Sequence, residues 1–189
     1  MKKEIDEISE EIRLCTKCRL WEKRTIAVPG EGPAKATIMF VGEAPGQKED
    51  LTGRPFVGRS GVFLNSLLEL SDLKRKDVFI TSVIKCRPPN NRTPLPDEMK
   101  TCINAWLWKQ IELIDPTLIV ILGNVALKGL LNKEQLKNNH GKTVTQNERK
   151  FFVTYHPAAG IRFPKIKRML EEDFKKLKNE IAGYDGLLS

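Results

Sequence analysis

Four cysteines carry the most legible chemistry in this chain of 189 residues. Cys15 and Cys18 form a Cys-x-x-Cys pair, Cys86 follows a run of β-formers, and Cys102 comes after fifteen intervening residues. A Cys-x-x-Cys pair ahead of every strand has no core to enter, so the four do not read as buried small hydrophobes. The even count would suit disulfides. A chain showing no signal sequence is expected in a reducing compartment, however, where disulfides are rare. Metal remains. Structural zinc usually brings two close cysteine pairs. A cubane iron–sulfur cluster binds each thiolate through a different iron and tolerates scattered ligands. Spacing alone leaves both open.

The other chemistry lies at strand ends. Four runs read as strands buried on both faces, because they are apolar throughout and do not alternate: "ATIMFVG" (36–42), "DVFITSV" (77–83), "TLIVILG" (117–123) and "KFFVTYH" (150–156). Helix-period segments separate them. "GVFLNSLLEL" follows a glycine-rich loop, and "DEMKTCINAWLWKQIELI" opens with acidic residues, favourable at a helix amino end. "KIKRMLEEDFKKLKNEI" sets Ile166, Met169, Leu170, Phe174, Leu177 and Ile181 on one face. Strands alternating with helices predict one domain over 1–189, a three-layer α/β/α sandwich with a central four-stranded parallel sheet. Ligands of such sheets bind beyond the carboxyl ends of the strands. Those exits hold "GEAPG" (42–46), Ser82 with "KCRPPNNR", "LGN", and "YHP" with His156. The only other histidine, His140, lies in a polar loop.

Charge and composition narrow the class further. The 40% hydrophobic and 30% charged residues are ordinary for a globular domain, and no twenty-residue apolar run is present. The expected location is the cytosol, in association with the nucleoid, with no membrane partner. The net charge of +8 gathers at Lys85/Arg87/Arg92, at Lys74/Arg75/Lys76 and between Arg162 and Lys178. Such clusters suit a polyanion, and they equally suit solubility. "GRPFVGRS" imitates a phosphate-binding loop, but "QKEDLT" before it is no strand, so nucleotide hydrolysis is not expected.

Taken together, "GEAPGQKEDLTGRPFVGRSG", "KCRPPNNRTPLPDE", "YHPAA" and the cysteine layout resemble the family-four uracil-DNA glycosylases, the iron–sulfur members of their superfamily. The resemblance runs from Cys15 to the last helix. It implies a [4Fe–4S] cluster on Cys15, Cys18, Cys86 and Cys102, and a DNA glycosylase that flips uracil out of the helix to cleave it from its sugar. His156 is then the donor to uracil O2, and Glu43 and Glu49 order the loop or the attacking water. Gly42, Ala44 and Gly46 bring the turn close to the base, with Ala44 where some relatives carry aspartate. Phe56 is the stacking platform. Ile161 or Phe163 is the wedge that replaces the expelled base, with Arg162, Lys165 and Lys167 on phosphates. Arg87 and Arg92 lie over the DNA backbone. The partner is uracil-containing DNA, single- or double-stranded, and a monomer is expected.

One position departs from the family pattern. Ser82 stands where asparagine is usual, and a hydroxyl cannot make the paired contacts an amide makes to uracil N3–H and O4. Weaker uracil excision or looser base preference is therefore expected. The alternative is an iron–sulfur DNA-binding protein that keeps the fold with little or no catalysis.

Overall fold

The computed structural model describes residues 2–183. Its centre is a five-stranded sheet in the order β2-β1-β3-β5-β4. β1 (Ile38–Gly42), β2 (Phe79–Ser82), β3 (Leu118–Leu122) and β5 (Arg149–Thr154) are the four expected strands, and their mutual pairings are parallel. The sheet has one strand more than the sequence indicated. β4 (Lys142–Gln146) runs antiparallel to β5 at the edge, and its "KTVTQ" is polar because much of it faces solvent. Asn147 and Glu148 turn this hairpin, both at positive φ (49° and 62°), as a type I′ turn requires.

Burial explains why the parallel strands look uniformly apolar. Met39, Val41, Phe79, Ile119, Ile121, Phe151 and Val153 face one helical layer, made by α1 (Lys2–Arg13), α5 (Trp108–Ile114) and α6 (Asn124–Leu131). Ile38, Phe40, Ile80, Leu118, Val120, Leu122 and Phe152 face the other, made by α3 (Arg59–Leu70) and α9 (Pro164–Ala182). Phe40 stacks on Phe174 of α9 across this second interface, ring centroids 6.1 Å apart. Each such side chain contributes about 1.5–3 kcal/mol by leaving water. The three-layer sandwich is therefore as expected.

Two helices differ from a simple reading. The segment after β2 begins as α4 (Pro96–Cys102) and reaches α5 through a π-helical turn over Ile103–Leu107. Cys102 is the last residue before that turn. π turns concentrate where a helix must place a particular side chain. The stretch "AAGIRFPKIKR" is not a continuous lead-in: α8 (Pro157–Arg162) stops at Phe163, whose extended backbone separates it from α9. The remaining short α-helices are α2 (Gln47–Thr52) and α7 (Leu136–Asn139), beside 3-10 turns at Arg19–Glu22, Arg75–Asp77 and Pro89–Asn91. Because "QKEDLT" is α2, the strand a phosphate-binding loop would need is absent at that place.

Candidate active site

A pocket opens beyond the carboxyl ends of β1, β2 and β5. Its walls are the β1 exit (Glu43 to Gly46), Pro55 and Phe56, Ser82 at the end of β2, the loop from Pro88 to Arg92, and His156 after β5. Neighbouring loops diverge there because the chain crosses from β1 to β2 on one side and to β3 on the other. Asp173 of α9 secures one wall: its fully buried carboxylate accepts from Thr154 Oγ1 at 2.7 Å and meets His140 Nδ1 at 3.0 Å. The β5 exit is thereby tied to α9 two residues before His156, and His140 serves the frame.

His156 caps the amino end of α8, and its Nδ1 accepts the Ala158 backbone N–H at 3.1 Å. An Nδ1 that accepts leaves the proton of the neutral ring on Nε2. Burial lowers the His156 pKa to about 4, against a smaller opposing pull from Glu49. The imidazole is thus a neutral Nε2–H donor at physiological pH. It stacks against Phe56 with ring centroids 5.6 Å apart.

Phe56 is held in an unusual backbone state, with φ at 49°. A non-glycine residue in that region costs of order 1–3 kcal/mol, a strain typical of functional loops. Gly42 makes room for the ring, since a Cβ there would lie 2.6 Å from Phe56 Cζ. Gly42 thus supports the platform from behind, whereas Ala44 and Gly46 line the pocket itself.

The two glutamates separate into different tasks. Glu49 is buried, and its Oε1 accepts from the backbone N–H of Val57 (2.9 Å) and Gly58 (2.8 Å) while Oε2 accepts from Gly46 N–H (3.1 Å). It stitches the β1 exit loop to the loop carrying Phe56. Glu43 lines the pocket with no side-chain hydrogen bond among the described residues, and burial raises its pKa. Glu49→Ala would leave three amide donors without their acceptor, each costing about 1–3 kcal/mol when buried. We expect a loss of about 3 kcal/mol in urea unfolding and a smaller loss for Glu49→Gln; an unchanged midpoint for Glu49→Ala would contradict the stitching role.

In a second, separate pocket, Cys15, Cys18, Cys86 and Cys102 come together with Arg24, Lys85 and Trp106. All four thiols are unpaired. Trp106 Nε1 donates to Cys15 Sγ at 3.1 Å and Arg24 Nη1 to Cys86 Sγ at 3.0 Å. Among the described residues, no three His, Cys, Asp or Glu side chains converge closely enough to ligate one ion. Burial pushes the Cys102 thiol up to about 12 and also raises Cys86 and Cys18.

The sequence that builds these two sites is similar to those of known proteins. The profile of the Uracil DNA glycosylase superfamily matches residues 29–180. A type-4 uracil-DNA glycosylase of Saccharolobus solfataricus is 47% identical, over 94% of this chain and 87% of the relative. Type-4 uracil-DNA glycosylases of Archaeoglobus fulgidus (44%; 95% and 94% of the two chains) and Thermotoga maritima (43%; 92% and 93%) align just as fully. The chain belongs to the type-4 uracil-DNA glycosylases.

Within this glycosylase, some expected contacts are placed differently. Lys85 is not a surface cation: it is 1% exposed, and its Nζ donates to Thr81 Oγ1 (2.6 Å), Gln110 Oε1 (2.6 Å) and the Ser82 carbonyl (2.9 Å). It joins the Ser82 backbone to the four-cysteine pocket. Arg92 reaches the pocket rim but makes a bidentate pair with buried Glu98 at 2.9 and 2.7 Å. Arg87 lies outside the pocket, its Nε donating to Asn91 Oδ1 at 2.8 Å. Ile161 and Phe163 are 38% and 47% exposed beside the pocket, with Arg162 Cζ 5.2 Å from the Phe163 ring centroid. Lys165 is exposed on the first turn of α9. Glu49, named by the resemblance, also sits at capping-box spacing from Gly46 and caps α2. Arg24 and Trp106 reach the cysteines across sixty-two and ninety-one residues and left no local signal, and the Lys85 bond to Gln110 crosses twenty-five.

Proposed function

We propose that this chain is a monofunctional DNA glycosylase that hydrolyses the bond between uracil and deoxyribose in DNA, the first step of base-excision repair. The observation that carries this reading is His156: a neutral Nε2–H donor fixed at a strand exit, against an aromatic platform. As the glycosidic bond breaks, uracil leaves as an anion and the sugar gathers positive charge. A preorganised donor beside O2 stabilises that anion without needing to give up its proton. Glu43, whose carboxylate is not engaged elsewhere, orients the attacking water and stabilises the sugar cation. Glu49 is occupied by three amides and serves as frame. Phe56 stacks on the flipped base, a contact worth about 1–3 kcal/mol. Lys85 is outside the pocket's lining, which supports hydrolysis without a lyase amine.

The cysteine site fits a [4Fe–4S] cluster better than a single zinc. A cluster binds each thiolate through a different iron and is tuned by hydrogen bonds to its sulfurs, and these four cysteines line one pocket in which Trp106 and Arg24 donate N–H groups to two of them. Cys15, Cys18, Cys86 and Cys102 would hold the cluster. When bound, it supplies a rigid tie between the amino-terminal segment, the β2 exit and α4. The exposed wedge of Ile161 and Phe163, with Arg162, Lys165 and Lys167 near it, supports entry into the minor groove of a DNA duplex, and a lone strand can follow the same cations. Arg87 and Arg92 border the strand on the other side. Such a substrate places the enzyme at the nucleoid. Among the described residues, no helix is long and apolar enough to cross a membrane. Each site is complete within one chain, which supports a monomer.

Ser82 is buried in the pocket wall, with its carbonyl held by Lys85. A bidentate amide contact to a base contributes about 1–3 kcal/mol of discrimination. Ser82→Asn is therefore expected to raise kcat/KM on uracil oligonucleotides by about tenfold, near 1.4 kcal/mol. Rate and base preference both unchanged would contradict this role. Ser82 is also the observation that favours the second reading, DNA binding with little catalysis; measurable binding with no base release would establish it.

A further inference from the structure

The loop bearing Phe56 is gripped from behind by a side chain that looks, in sequence, like part of a basic patch. Arg75 lies between Lys74 and Lys76, yet its side chain is turned inward and only 20% exposed. Its Nη2 donates to the Pro55 carbonyl at 2.6 Å, and Nη1 donates to the Phe56 carbonyl and to Asn65 Oδ1, both at 3.2 Å. Its Nε donates to Glu31 Oε1 at 3.2 Å. Four of the guanidinium's five N–H donors are thus committed within the protein. Glu31 is held in turn by Arg54, at 2.7 and 3.0 Å, and these two arginines lower its pKa. The Glu31 backbone exchanges hydrogen bonds with Ile80 of β2 at 2.9 and 2.8 Å, two residues before Ser82. The clamp therefore runs from the strand presenting Ser82, through Glu31 and Arg75, to the two peptide carbonyls that flank the Phe56 Cα.

Phe56 needs such restraint. Its backbone occupies the left-handed region, and the helix after it passes so close that a Cβ on Gly61 would lie 1.8 Å from the Phe56 carbonyl oxygen. Left free, the loop would relax toward common backbone angles and swing the ring out of register with His156. We infer that Arg75 is a positioning residue for base recognition: by fixing the Pro55 and Phe56 carbonyls to Glu31, it keeps the Phe56 ring preorganised to receive the flipped base. The planar fork is suited to this task because it serves two carbonyls, an amide and a carboxylate at once, and a lysine ammonium cannot span them. The inference rests on reading the pocket as the uracil site.

The test compares binding of two oligonucleotides that differ only at the target position. One carries 2′-fluoro-deoxyuridine, which resists hydrolysis because fluorine disfavours the cationic sugar; the other carries a tetrahydrofuran abasic analogue. The wild-type protein must first bind the uracil oligonucleotide more tightly; equal affinities would overturn the base-site reading itself, not the clamp specifically. Given that preference, Arg75→Ala is expected to lose at least tenfold in affinity for the uracil oligonucleotide while binding the abasic one within twofold of wild type. Equal losses on both, as a phosphate contact or general unfolding would produce, would overturn the inference, and so would no loss on either. Should Arg75→Ala fail to fold, Arg75→Lys decides. It keeps the charge and the stem, and the same selective loss is expected; full retention would show that charge alone matters and would overturn the clamp.

Discussion

His156→Ala is expected to lower single-turnover uracil release by about 10²–10³-fold, the loss seen when one preorganised donor to a developing oxyanion is removed. The fold and the cysteine site should persist, because the ring's own bond is a local one to Ala158 N–H. The pH dependence sharpens this expectation. Neutral imidazole is the working form, and burial holds the His156 pKa down at about 4. Activity should therefore show no histidine ionisation between pH 5 and 8. An acid-side fall belongs to Glu43, whose pKa burial raises above its ordinary value, so its carboxylate form is lost earlier as pH falls. Stability follows the histidine differently. Below its ordinary value of 6.5 the unfolded chain takes up a proton that the folded ring refuses until about pH 4, so stability falls as the pH is lowered across that window. His156→Ala should flatten that slope. A variant that retains wild-type rates would remove His156 from the chemistry.

Cys102→Ser is expected to abolish the broad visible absorbance of the purified protein and to lower its melting temperature. Through the proposed cluster Cys102 would join α4 to the β2 exit and the amino-terminal pair across more than eighty positions of sequence, so its loss would resemble the removal of a covalent staple. Such losses cost about 2–5 kcal/mol. For a domain of this size that corresponds to about 4–20 °C, at 2–4 °C per kcal/mol. Iron and sulfide analysis with thermal unfolding of wild type and variant reads both effects. A colourless wild type loaded with zinc, or a variant unchanged in colour and melting, would contradict the cluster.

The parallel strands were legible because burial on both faces leaves an uninterrupted apolar run, and pocket placement followed from where such strands end. β4 was not legible: an edge strand needs only one partner and one packed face, so "KTVTQ" has the composition of a loop. The π turn after Cys102 left no trace either, since "INAWL" has ordinary helix periodicity. At the site, residue type and position at a strand exit singled out His156, and the resemblance assigned roles to the rest. The charge clusters misled where burial intervened. Lys85 and Arg75 look like surface cations in sequence, yet one lies inside the β2 exit and the other behind the Phe56 loop. Arg75 is placed by hydrogen bonds spanning ten to forty-four residues, and Lys85 by a bond to Gln110 twenty-five residues away beside two local ones to Thr81 and Ser82; the distant partners are not encoded in any local pattern. Glu49 is the intermediate case, because its capping spacing was visible but its hold on Val57 and Gly58 was not.

The most direct test of the account is base release itself. Oligonucleotides carrying uracil opposite guanine, uracil opposite adenine, or uracil in a single strand are incubated with the protein and treated with alkali to break abasic sites. The account predicts strand breaks at uracil that vanish in His156→Ala. DNA binding with no breaks on any of the three substrates would contradict it.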